Sequence, residues 1–78
     1  MIEAISRLMN ALADGIVAET AAADTLFLIA EDADRKCQAG VAEAVRTIAR
    51  MHRAKVIQHQ ARFHALRIDR RRIDASRS

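Results

Sequence analysis

The chain has 78 residues, a formal net charge of +3, one cysteine, two glycines and no proline. A chain this short forms one domain at most and buries only roughly 60% of the surface that its unfolded form exposes. Frequent alanine, no proline and no alternation of β-branched residues exclude a sheet and predict an all-α fold. The lone cysteine excludes a disulfide framework and a CxxC motif. With neither a basic leader nor a membrane-length apolar run, we expect a cytoplasmic protein.

The first predicted element is a helical arm over residues 1–31. Apolar residues recur every three or four positions from Ile2 to Ile16, which places them on one face of a helix. Asp14-Gly15 is a turn signal inside this arm. A lone glycine costs only about 1 kcal/mol in a helix, so a continuous arm is favoured. The alternative is a break at Asp14-Gly15, which would give three helices.

The second predicted element is a helical arm over residues 41–74, after a turn region at 32–40. A near-heptad row of side chains, with two histidines at its centre, runs along one face of this arm and predicts a packing seam. Its members are Val41, Val45, Ile48, His52, Val56, His59, Phe63, Leu66 and Ile73. The tail at 75–78 is expected to fray.

The two arms carry opposite charge. Residues 1–34 hold seven acids and one base, a net charge of −6, and residues 35–78 hold twelve bases and three acids, a net charge of +9. This asymmetry predicts binding to acidic partners or to a second copy of the chain. Eleven of the thirteen basic residues are arginine, and with the alanine content this indicates a GC-rich bacterial or phage genome.

These patterns predict a helical hairpin of two long amphipathic helices forming a single domain over 1–78. Two helices leave one side of each apolar seam in water, so we expect two hairpins to pair as a homodimer in a four-helix bundle. The residues expected in the core of that oligomer are Leu12, Ile16, Leu26, Phe27, Val45, Ile48, Phe63 and Leu66.

Polar residues inside the seams are the sharpest local feature. In a hairpin that turns near residue 36, Glu19 meets His52 or Arg53, while His59 lies near Leu12 and Ala13. We interpret Glu19 and His52 as a buried, hydrogen-bonded pair that sets the register of the arms. A metal site formed by Glu19, His52 and His59 is the alternative, but the Glu-x-x-His spacing of diiron bundles is absent. No metal and no cofactor are therefore predicted.

A row of arginines follows the second arm and is the predicted partner-binding surface. Residues four apart on a helix are about 6 Å apart along its axis, which is close to the spacing of phosphates on one nucleic-acid strand. A solvated helix face is the plain alternative. The predicted binding residues are Arg46, Arg50, Arg53, Arg62, Arg67 and Arg71.

The sequence holds no phosphate-binding loop and no nucleophile motif, so we expect neither an enzyme nor a small-molecule substrate. The leading interpretation is a binding or regulatory protein that docks a basic helix face on an acidic macromolecular partner, which is either nucleic acid or an acidic protein surface. One such role is a phage or mobile-element inhibitor of a nucleoprotein complex, as anti-CRISPR proteins are. The alternatives are a sequence-nonspecific nucleic-acid-binding protein, a metal-binding bundle and a structural oligomer.

Overall fold

The computed structural model describes residues 1–77, which form two long helices in an antiparallel hairpin. Helix α1 spans Ile2–Arg35 and helix α2 spans Ala39–Arg77. The hairpin is a thin rod measuring 62 × 14 × 12 Å. The predicted all-α helical hairpin is confirmed.

Helix α1 runs without interruption through Asp14 and Gly15, so the described residues do not form the alternative three-helix arrangement. The reason lies in the packing. A Cβ atom added to Gly15 would lie 3.3 Å from Cδ2 of His59, so the glycine leaves space for the imidazole ring of the facing helix. Here the glycine permits a close approach between helices and does not begin a turn.

The connection between the helices is shorter than the predicted turn at 32–40. Residues 32–35 belong to the last turn of α1, and α2 already begins at Ala39. The predicted second arm at 41–74 is likewise extended at both ends. Its predicted frayed tail at 75–78 is helical as far as Arg77, and Ser78 lies outside the described residues.

Helix α1 ends in a paired backbone arrangement known as a Schellman motif. The amide of Gln38 donates to the carbonyl of Ala33 at 2.8 Å, and the amide of Cys37 donates to the carbonyl of Asp34 at 3.0 Å. Cys37 adopts a left-handed conformation with φ 59°, at the position where such motifs usually hold glycine. These bonds satisfy helix-end carbonyls and reverse the chain within three residues.

The helices meet along two regular rows of side chains with alternating spacings of three and four residues. Every member of these rows is at least partly buried, as expected for a two-stranded antiparallel seam. We call these rows the seam. In α1 it comprises Ile2, Ile5, Met9, Leu12, Ile16, Glu19, Ala23, Leu26, Ala30 and Ala33; in α2 it comprises Ala42, Val45, Ala49, His52, Val56, His59, Phe63, Leu66, Arg70 and Ile73.

The seam of α2 differs from the predicted row at two positions near the turn. Ala42 and Ala49 are fully buried there, whereas Val41 and Ile48 are 52% and 46% exposed. The prediction counted large apolar side chains only. Buried alanines on both helices let the two backbones approach closely at this end, so the larger neighbours are displaced to the flank of the seam.

Candidate functional site

Glu19 and His52 face each other at the centre of the seam. Nδ1 of His52 donates a hydrogen bond to Oε2 of Glu19. The side chains are 22% and 27% exposed, so this pair is half-buried. The hydrogen bond from His52 is the main cause that lowers the pKa of the Glu19 carboxyl below its usual value of 4.5. Such a contact favours one alignment of the two helices over its neighbours.

His59 lies one heptad further along α2, against Gly15. Its Nδ1 atom is buried and has no hydrogen-bond partner within the described residues. His59 therefore stands apart from the bonded Glu19–His52 pair.

The described residues contain no group of three or more histidine, cysteine and acidic side chains placed to hold a metal ion. Within one hairpin, Glu19 and His52 lie side by side as a pair of metal-ligating residue types. His59 packs against Gly15. Cys37 is exposed at the turn, far along the rod from both histidines. The arrangement favours a role in helix alignment for the seam histidines.

The predicted arginine row divides into two parts, and the part nearer the turn is engaged within the chain. Arg46 forms an ion pair with Asp34 of α1 and is only 30% exposed. The guanidinium of Arg53 lies over the ring of Phe27, 4.3 Å from its centroid, in a cation–π contact. These two side chains lie on the flank where the helices meet, where Arg46 is half-buried and Arg53 stays exposed.

Arg50, the third arginine of the part nearer the turn, forms an ion pair within helix α2. Its guanidinium lies 2.9 Å from a carboxylate oxygen of Glu43. Both side chains are more than half exposed, so the pair contributes little to stability. Arg50 thus stays accessible to a partner, with part of its charge offset locally.

The second part of the row lies at the open end of the hairpin, opposite the turn. Five arginines fall within residues 62–72, and we call them the arginine cluster: Arg62, Arg67, Arg70, Arg71 and Arg72. None of the five forms an ion pair within residues 1–77, although Arg67 contacts Nδ1 of His64 at 3.3 Å. The facing segment of α1 holds Glu3, which already binds Arg7 at 2.9 Å. The cluster therefore carries an excess of positive charge, with Asp69 as the one acid inside residues 62–72.

Charge is graded along the rod as a result. The turn end, residues 24–43, carries five acids and two bases, a net charge of −3. The second-helix segment at the open end, residues 62–78, carries six arginines and two aspartates, a net charge of +4. The sequence pattern divided the charge between the two arms; in the hairpin, the division runs from one end of the rod to the other.

The predicted oligomer-core residues lie mostly between the two helices of one chain. Leu12 is buried there, and five others occupy half-buried seam positions: Ile16, Leu26, Val45, Phe63 and Leu66. Phe27 lies on the flank beneath Arg53, and Ile48 is exposed. Of the eight, Ile48 is thus the residue most open to another molecule.

Within the described residues, neither helix is long and apolar enough to cross a membrane. Comparison of the chain with models of protein families, with curated proteins and with solved structures gave no match.

Proposed function

We propose that this chain is a small non-enzymatic binding protein that pairs with a second copy and docks its arginine cluster on an acidic protein surface. The observation that carries the docking proposal is the set of five arginines without an ion pair in residues 62–72. Packing inside the hairpin does not account for so many like charges in about 15 Å of helix. Bound carboxylates would relieve their mutual repulsion.

A bounded acidic protein patch suits this cluster better than a long nucleic acid. The arginines that would continue a phosphate track toward the turn are held by Asp34, Glu43 and Phe27. The acidic turn end would repel a polyanion lying along the rod. Base stacking also lacks a platform, since there is no Trp or Tyr and both Phe side chains pack within the hairpin.

Arginine is well suited to such a surface because its planar guanidinium forms paired hydrogen bonds with carboxylates. Occlusion of an acidic site on a larger complex needs this surface and no catalytic group. The inhibitor role suggested by the sequence, including the anti-CRISPR kind, belongs to this class.

The test compares two variants with the same change of net charge. Arg71→Glu with Arg72→Glu reverses two charges in the cluster, and Arg35→Glu with Lys36→Glu reverses two exposed charges at the turn, the opposite end of the rod. Tagged wild type and both variants are used for capture from cells that naturally contain the protein, with and without nuclease. We expect a protein partner that survives nuclease, is lost with the cluster variant and is kept with the control.

Titration with labelled duplex DNA of random sequence at two salt concentrations tests nucleic acid as the partner. Nucleic-acid binding loses affinity steeply with salt, because each neutralised phosphate releases condensed counterions. Tight, salt-sensitive binding to random duplex, together with loss of all captured protein after nuclease treatment, would replace the protein partner by nucleic acid.

A further inference from the structure

The isolated hairpin exposes more surface than a compact protein of its mass. Its accessible surface is 5589 Å², whereas about 4,700 Å² is expected for a compact 8.7 kDa monomer. The excess is similar to the roughly 800 Å² that each partner buries in a standard interface. Among the described residues, the buried hydrophobic core consists of Met9, Leu12 and five alanines. Such a core is small for a stable monomer.

The two flanks of the seam differ sharply in character. We call one flank the charged flank; its residues directly follow a seam position, as Arg46 follows Val45. The contacts of Arg46 with Asp34 and of Arg53 with Phe27 show that these residues of the two helices meet on this side. Residues that directly precede the other seam positions must meet on the opposite side. There, Ile29, Val41 and Ile48 come before Ala30, Ala42 and Ala49.

This second flank carries an apolar patch next to the turn. Its large side chains are Ile29, Val41, Ile48 and Met51, which are 47%, 52%, 46% and 58% exposed. Small residues fill the spaces between them: Ala18, Ala22, Thr25 and Ala44. Along this flank, no charged side chain lies between Asp32 near the turn and Lys55 near the middle of the rod. Small and large apolar side chains side by side are typical of surfaces that pack on another helix pair.

We propose that the apolar patch is the interface with a second copy of the chain, and that the two hairpins lie antiparallel about a two-fold axis through the patch. This rests on the pairing in the proposed function and specifies its face and direction. A two-fold axis brings the same patch of each copy together, so an uncharged apolar surface meets an equally uncharged one.

Charge selects the antiparallel direction. The centre of the patch lies about 11 residues from the turn, or about 17 Å at 1.5 Å per residue. An antiparallel pair centred there places the acidic turn of each copy beside Lys55 and Arg62 of the other. A parallel pair would bring two acidic turns together and two arginine clusters together, and like charges in contact oppose association.

The same geometry leaves the arginine clusters free. With the two turns about 34 Å apart, each 62 Å rod projects about 28 Å beyond the turn of its partner. The projecting segment contains most of the arginine cluster. Pairing through the patch and docking through the cluster therefore use separate surfaces, and the dimer presents one cluster at each end.

Sedimentation equilibrium on the full chain tests the interface. The wild type should have twice the mass of the 8.7 kDa chain. Ile48→Asp should weaken pairing by about 100-fold or more, since it buries an unpaired carboxylate. Ile57→Asp is the matched control: Ile57 is 67% exposed and lies on the side of α2 that borders the charged flank. It should stay dimeric.

Ala44→Glu, at an exposed patch position, repeats the test with a good helix former and guards against misfolding of Ile48→Asp. Circular dichroism checks that helical content is kept. A monomeric wild type at tens of micromolar, or pairing that survives both patch variants, would overturn the proposal.

Spin labels on the exposed Cys37 test the direction of pairing. The antiparallel dimer should give a label separation of about 34 Å, whereas a parallel dimer would bring the labels within about 20 Å. A short separation would contradict the antiparallel arrangement. The variant Arg71→Glu with Arg72→Glu should keep both the mass and the label distance of the wild type. If this variant keeps an intact dimer and still captures the partner, docking through the cluster is contradicted and the interface is left standing.

Discussion

At the scale of single residues, Gly15 does not break helix α1 but leaves space for the imidazole ring of His59 on the facing helix. Glycine in a helix costs about 1 kcal/mol relative to alanine, and here a Cβ would lie 3.3 Å from one ring atom of His59 and 3.4 Å from another. An alanine at position 15 would therefore gain helix propensity but would crowd the His59 ring of the facing helix.

A double-mutant cycle measures that conflict. In the wild-type background, Gly15→Ala should change the free energy of unfolding by less than about 0.5 kcal/mol, because crowding of the ring cancels the gain in helix propensity. In a His59→Ala background it should stabilise by about 1 kcal/mol. Urea unfolding of the four proteins gives the coupling, and additive effects would show that the ring and the added methyl group do not conflict.

The contact between Glu19 and His52 makes stability depend on pH in a defined direction. The pKa of Glu19 is lowered in the folded chain, so its stabilising contribution is present above the usual value of 4.5 and is lost as pH falls through the folded pKa. Glu19→Gln should lower the melting temperature at pH 6, and the gap to wild type should narrow as pH falls below 4.5 and through the lowered pKa of Glu19.

Glu31→Gln is the control for this pH series, because Glu31 is exposed on α1. Its melting temperature should follow that of the wild type across the range. A gap between wild type and Glu19→Gln that stays constant from pH 6 to pH 3 would contradict a stabilising charged carboxylate at Glu19.

At the scale of the helices, the seam changes in character along the rod. Alanines dominate it near the turn, where Ala30 and Ala42 are fully buried, and larger side chains such as Leu12 and Phe63 occupy it toward the open end. Small residues allow a close approach of the helices, and the large residues fill a wider separation.

Enlarging the alanine end should therefore be costly. Ala30→Leu should destabilise the protein by about 1–3 kcal/mol, since there is no space for the added carbons. Ala21→Leu, at an exposed position of the same helix, should stay within about 0.5 kcal/mol of wild type. Denaturant unfolding followed by circular dichroism compares them, and equal effects would show that the helices are not closely packed at Ala30.

At the scale of the whole molecule, the thin rod and its small core lead us to expect that stability depends on association. If folding and pairing are coupled, the melting temperature should rise by about 3–6 °C for each tenfold increase in protein concentration. Thermal unfolding over a hundredfold range of concentration measures this. A constant melting temperature would mean that the single hairpin unfolds independently.

The sequence by itself determined the two helices, their antiparallel course and the opposition of Glu19 and His52. Helix formation follows from local propensity and from the repeat of apolar residues, and both are visible along the chain. Once a hairpin turns near residue 36, the numbering places residue 19 at the level of residue 52 or 53, and the structure selects His52.

Only the tertiary structure decided which residues enter the seam, how short the turn is and which arginines remain free. Buried alanines such as Ala42 give a weak pattern beside the larger Val41, so their role depends on how closely the partner helix approaches. The same holds for charge: Arg46 and Arg71 look alike in sequence, but the approach of Asp34 engages the first, while the second has no ion pair within residues 1–77. These outcomes depend on distances between helices, which the pattern of a single helix does not contain.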